Sequence, residues 1–142
     1  MLQFIVATHG PLCQALIESA EMIFGELTGI KAVSLTNEGG IEAFRTEITK
    51  KIDDALLNHD GVLVLCDLLS GTPWNVASAH ALHPERVGNV AVVAGVNLPL
   101  LLLAQEYSEE ADPHFVATQL VKQVTEMVIQ AMPVIHQTSE DF

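Results

Sequence analysis

The sequence predicts an α/β fold, an open doubly wound and mainly parallel sheet with helices on both faces. Three observations lead there. Apolar runs of strand length alternate with longer segments of helical period along the whole chain. One run, Val62-Leu63-Val64-Leu65-Cys66, is continuously apolar, as a central parallel strand buried on both faces should be. The chain has 142 residues, 49% hydrophobic and 17% charged, which suits one domain that buries roughly two-thirds of its unfolded surface without disulfides or metals.

The elements follow in order. Gln3 to Thr8 reads as the first strand, and Pro11 to Phe24 as a helix with positions 12, 15, 16, 19, 22 and 23, apolar but for Ser19, on one stripe. Ile30 to Thr36 is a second strand. Ile41 to Leu57 is a second helix with Ile41, Phe44, Ile48, Ile52, Ala55 and Leu56 on one face. The apolar third strand is followed by a helix over Pro73 to Leu82, with proline in its first turn. Val90 to Ala94 is a fourth strand and Pro99 to Gln105 a short helix. A polar loop, Glu106 to Pro113, leads to a long amphipathic helix over Phe115 to Met132, and Pro133-Val134-Ile135-His136 has the make-up of a short edge strand. Right-handed crossovers with helices on both faces give a doubly wound sheet, for which a flavodoxin-like strand order of 2-1-3-4 is expected. Residues 1–136 form one domain in this reading, and 137–142 a polar tail.

Eighteen acidic against six basic residues give a formal charge of -12, which repels phosphate backbones and anionic headgroups. Nucleic acid and membrane-surface binding are disfavoured, and a docking protein should bring basic residues. Two cysteines, Cys13 and Cys66, imply no disulfide framework. No leader pattern is present, and the apolar stretch from Val90 to Ala104 is broken by Gly95, Asn97 and Pro99, so a cytoplasmic protein without membrane insertion is expected.

His9 stands where the first strand turns through Gly10-Pro11 into a helix, and Asp67 follows the third strand directly. In a 2-1-3-4 order these ends are neighbours at the topological switch point, where open α/β sheets bind ligands. A carboxylate accepting the Nδ1 proton of His9 would fix the ring tautomer and leave Nε2 as a nucleophile for a phosphoryl group. Each residue alone has a plainer reading, His9 as a turn residue and Asp67 as a cap. The loop Leu68-Leu69-Ser70-Gly71-Thr72-Pro73-Trp74-Asn75 supplies amides and two hydroxyls for an oxyanion, with Thr72 also suited to an N-cap. A phosphoryl group between Gly10 and Ser70-Gly71-Thr72 would gain about 0.3 to 1 kcal/mol from each helix end. That is modest, as suits a group to be handed on.

His80 and His83 lie three residues apart with no Cys or carboxylate placed beside them, so a solvated helix face is expected, and His59, His114 and His136 read as surface residues. The chain has no G-x-x-x-x-G-K-[ST], no G-x-G-x-x-G after a strand and no G-x-S-x-G elbow. No nucleotide, metal or other cofactor is called for.

Ala7-Thr8-His9-Gly10, Asp67 with Ser70-Gly71-Thr72-Pro73-Trp74-Asn75, and Ala94-Gly95-Val96-Asn97-Leu98-Pro99 together resemble the enzyme IIA component of mannose-family sugar phosphotransferase systems. The resemblance runs from residue 1 to about 136. It implies a phosphohistidine at His9, an aspartate paired with it at Asp67, HPr as phosphoryl donor, a IIB component as acceptor, and a homodimer formed by exchange of a C-terminal edge strand, here Pro133 to His136. Where the family pattern reads Asp-x-x-Gly-Gly-Ser-Pro-Phe-Asn, this chain has Ser70, Thr72 and Trp74 in place of glycine, serine and phenylalanine, substitutions that bear on partner choice and spare the reacting pair. Two other readings stay open: a regulatory protein whose phosphorylation state governs binding of a target without serving transport, and a small-ligand binding module.

Overall fold

The computed structural model describes residues 1–134, and its elements follow the expected order. They are β1 (Leu2–His9), α1 (Leu12–Phe24), β2 (Ile30–Leu35), α2 (Gly40–Asn58), β3 (Gly61–Cys66), α3 (Thr72–Ala81), β4 (Val90–Ala94), α4 (Leu98–Gln105) and α5 (Pro113–Val124). The four strands form one sheet in the order β2-β1-β3-β4, all parallel.

Alternation along β1 sorts the core into two layers. Phe4 and Val6 face one side, where they pack with Leu63, Leu65 and Val93 of the sheet, Ile17 and Ala20 of α1, Leu101 of α4 and Leu120 of α5. Ile5 and Ala7 face the other, with Val33, Val62 and Val64 against Phe44, Ile48 and Ile52 of α2 and Val76 and Ala77 of α3. Every residue of β3 is buried, which follows from its place between two strands and two helical layers.

Two helices differ from their expected form. In α1 the buried positions are Cys13, Ile17 and Ala20, whereas Met22 is 88% and Ile23 64% exposed. Cys13, Leu16, Ile17 and Ala20 form an apolar stripe of their own at helical spacing, and this stripe packs on the sheet, with the Cys13 amide donating to the buried Thr8 Oγ1 at 2.8 Å at its start; of the expected stripe only Leu16 reaches the core. The last helix begins earlier than expected, at Pro113 behind an Asp112 cap whose carboxylate accepts from the His114 and Phe115 amides. It also ends earlier, at Val124. There Thr125 Oγ1 donates to the Val121 and Lys122 carbonyls, and the next amides make three-residue turns back to Gln123 and Val124. Residues 128–134 carry no regular secondary structure, and the segment expected as an edge strand is represented by Pro133 and Val134 alone, since Ile135, His136 and the tail lie outside the described residues.

His80 is half-buried where a solvated position was expected. Its Nε2 is 2.9 Å from Thr49 Oγ1 of α2, and the Arg86 guanidinium contacts its Nδ1 and pairs with Asp53 of α2. Burial first, then the Arg86 charge, hold its pKa below the ordinary histidine value against the opposing pull of Asp53. His83 lies just past the end of α3, with its Nδ1 accepting from the Glu85 amide.

Candidate functional site

Gly10 ends β1. Its φ of +57° lies in the left-handed region that glycine adopts without strain, so the chain turns after His9 while the Gly10 amide still donates to Leu35 of β2 at 2.8 Å. On the other side of β1, the register pairs Ala7 with Cys66, so Asp67 emerges one step further on, level with the Thr8–His9 peptide. Asp67 Oδ2 accepts the His9 backbone amide at 3.0 Å. The same carboxylate meets His9 Nδ1 at 3.0 Å through Oδ2 and 3.3 Å through Oδ1.

An ionised carboxylate only accepts, so Nδ1 carries the proton and Nε2 of the neutral ring carries the lone pair. The exposures match this division: the His9 side chain is 45% exposed and that of Asp67 11%. Burial alone would raise the Asp67 carboxyl, but hydrogen bonds from the His9 amide and ring, with the ring's charge, hold it below its ordinary value. The neighbouring Cys66 thiol is pushed up to about 12, by burial first and then by the Asp67 charge, and is inert as a nucleophile.

Gly71 brings the second loop against the exposed side of the ring. With φ of +109° its backbone passes so close that a Cβ there would stand 3.3 Å from His9 Cε1 and 3.5 Å from Nε2. Gly71 is also the N-cap of α3, a place expected for Thr72. Thr72 is instead the first helical residue, and its hydroxyl is not engaged in capping. Ser70 is exposed on the same loop, as are Leu68 and Leu69. The Gly10 amide, held by Leu35, is not free to meet an anion.

Sequence reasoning missed the end of β2. A cavity of about 490 Å³ opens beside His9, lined also by Gly10, Ser34, Thr36, Asn37 and Glu38. A strand order of 2-1-3-4 already implies it, because β2 flanks β1 on the side away from Asp67. Along the outer edge of β4 runs an apolar groove of about 530 Å³ lined by Leu69, Trp74, Val92, Ala94, Val121 and Lys122. Among the described residues no group of three or more His, Cys, Asp or Glu side chains is placed to hold a metal ion. No helix there is long and apolar enough to cross a membrane.

Residues 3–119 match the family model described as the fructose IIA component of the phosphotransferase system. The chain is 36% identical over 102 residues to a fructose-specific EIIA component of Bacillus subtilis, covering 72% of this chain and 67% of that one. It is 30% identical over 118 residues to the mannose-specific EIIAB component of Escherichia coli, covering 80% of this chain and 34% of that longer protein. Among solved structures, the mannose/sorbose-specific IIA subunit from Enterococcus faecalis superposes with a TM-score of 0.80 at 27% identity, covering 92% of this chain and 95% of that one.

Proposed function

The chain belongs to the IIA components of mannose-family sugar phosphotransferase systems, proteins with a phosphotransfer role in sugar uptake, and from that premise we propose that His9 is its phosphoryl-carrying residue. HPr is the donor in this reading and a IIB component the acceptor. The lone pair of His9 Nε2 attacks phosphorus, a P–N bond forms, and the bond to the donor's leaving atom breaks with its electron pair passing to the donor. Nδ1 keeps its proton throughout, held by Asp67, whose negative charge stabilises the positive charge that builds on the ring. The second step reverses the first, with the acceptor as nucleophile.

One observation carries the reading: a single half-buried carboxylate grips both the His9 amide and its Nδ1, leaving Nε2 exposed beside a glycine loop. The amides and hydroxyls of Ser70, Gly71 and Thr72 at the start of α3 supply the anion contacts, and Gly10 shapes the turn. The site works without nucleotide, metal or other cofactor. The same reading makes residues 1–136 one IIA domain, working in the cytoplasm. It also makes the protein a homodimer, in which the C-terminal segment of one copy covers the β4 edge of the other; the apolar groove there and the exposed Val128, Ile129 and Val134 favour it.

Intact mass after incubation with phosphoenolpyruvate, enzyme I and HPr tests the carrier role. The wild-type chain gains one phosphoryl group and loses it when the cognate IIB is added, and His9→Ala gains none. Labelling of the His9→Ala chain, or label that stays on the wild type in the presence of IIB, contradicts it.

A further inference from the structure

We infer that Ser34 is a positioning residue for phosphoryl transfer at His9, its hydroxyl fixing the Gly10 carbonyl and with it the turn that aims the ring; this rests on the carrier reading above. Ser34 lies in β2 directly opposite Thr8, and its Oγ donates to the Gly10 carbonyl oxygen.

The turn after His9 has little else to hold it. Gly10 has the widest conformational freedom of any residue type, and nothing approaches within 4 Å of where its Cβ would be, so packing does not fix it. The peptide that joins Gly10 to Pro11 has no amide proton, because its nitrogen belongs to proline. Its carbonyl is therefore the one group by which a strong hydrogen bond can anchor that plane. The Cys13 thiol, 3.9 Å away, is a weak second donor. The other bonds of the turn act elsewhere: His9 N–H to Asp67 and Gly10 N–H to Leu35 hold the preceding peptides, and Cys13 N–H to Thr8 Oγ1 and Ala15 N–H to the Pro11 carbonyl hold α1.

Ser34 is also a wall. It lines both the 490 Å³ cavity beside His9 and a second one of about 310 Å³ bounded by Cys13, Phe44 and Glu47. Without its hydroxyl, water from either side competes for the Gly10 carbonyl and the turn gains freedom to swing toward the cavity. In-line attack tolerates little of that, since a misplacement of about 1 Å costs on the order of 10²-fold in rate. Ser34 is half-buried with its hydroxyl turned to the Gly10 carbonyl, so its loss is expected to act on the transfer step and not on docking of the donor protein.

The test compares the full chain with Ser34→Ala and Ser34→Thr, using phosphoramidate as a small donor that needs no partner protein, and HPr as the protein donor. Ser34→Ala is expected to take phosphoryl from phosphoramidate at His9 about tenfold more slowly, and to show a lower kcat at unchanged KM for HPr, with unfolding by denaturant little altered. Ser34→Thr, which keeps the hydroxyl in a strand that accepts a β-branched residue, restores both rates. A wild-type rate in Ser34→Ala, a loss that Ser34→Thr does not rescue, or a fall in stability large enough to account for the loss overturns the inference. If wild-type protein reacts with phosphoramidate but not with HPr, the carrier reading fails, while the phosphoramidate rates of the variants still decide the role of Ser34.

Discussion

The two nitrogens of His9 are made unlike by one neighbour. Asp67 binds the ring at Nδ1 and the backbone at the amide, so the side chain and the strand end move as one unit. Replacing Asp67 by Asn keeps the shape but removes the charge that stabilises the imidazolium and selects the tautomer; phosphoryl acceptance should fall by about 10²-fold or more, read as the initial rate of labelling by HPr. Because folding lowers the Asp67 pKa, its contribution to stability is present above the ordinary carboxylate value of 3.8 and is lost as pH falls through the lower folded value. This pair was legible in the sequence, since a histidine and an aspartate at the ends of two adjacent parallel strands can hardly avoid each other. The Ser34 clamp was not, because a serine in an edge strand has no pattern to mark it until the Gly10 carbonyl is seen turned toward it.

At the scale of the element, α3 borders the site with its first residues and is anchored to α2 by its last. At its start Gly71 occupies a backbone region essentially reserved for glycine and lies against the His9 ring. Gly71→Ala should cost about 1 to 3 kcal/mol of stability by denaturant unfolding and slow labelling of His9 as well. At its end His80, neutral and accepting from Arg86, ties α3 to α2. Its folded pKa is lowered, so the stability it gives is present above the ordinary value of 6.5 and is lost as pH falls through the folded one. Unfolding midpoints at pH 7.5 and 5.5 should therefore differ less in His80→Gln than in the wild type. Element order and the buried third strand could be read from hydrophobic period. The face of α1 is ambiguous in the sequence, because the apolar spacing of Cys13, Leu16, Ile17 and Ala20 competes with the larger Leu12, Met22 and Ile23 beside it, and only the first packs on the sheet. For α5, apolar spacing continues to Met132, but a threonine that caps its own helix stops it at Val124.

At the scale of the whole molecule, the parallel order β2-β1-β3-β4 brings His9 and Asp67 to one rim. The same order leaves β4 with an open edge and a groove beside it. Sedimentation of the full chain should give a dimer, and Ile129→Asp should shift it toward monomer. A wild-type monomer at micromolar concentration would remove the strand-exchange proposal and leave the chemistry of His9 untouched. In the proposed carrier, this fold presents one nitrogen of one histidine to phosphorus. Nitrogen-15 and phosphorus-31 NMR of the chain labelled through HPr tests it most directly: coupling of phosphorus to Nε2 of His9, with Nδ1 still protonated, is the predicted result, and coupling to Nδ1 or to any other side chain would contradict the account.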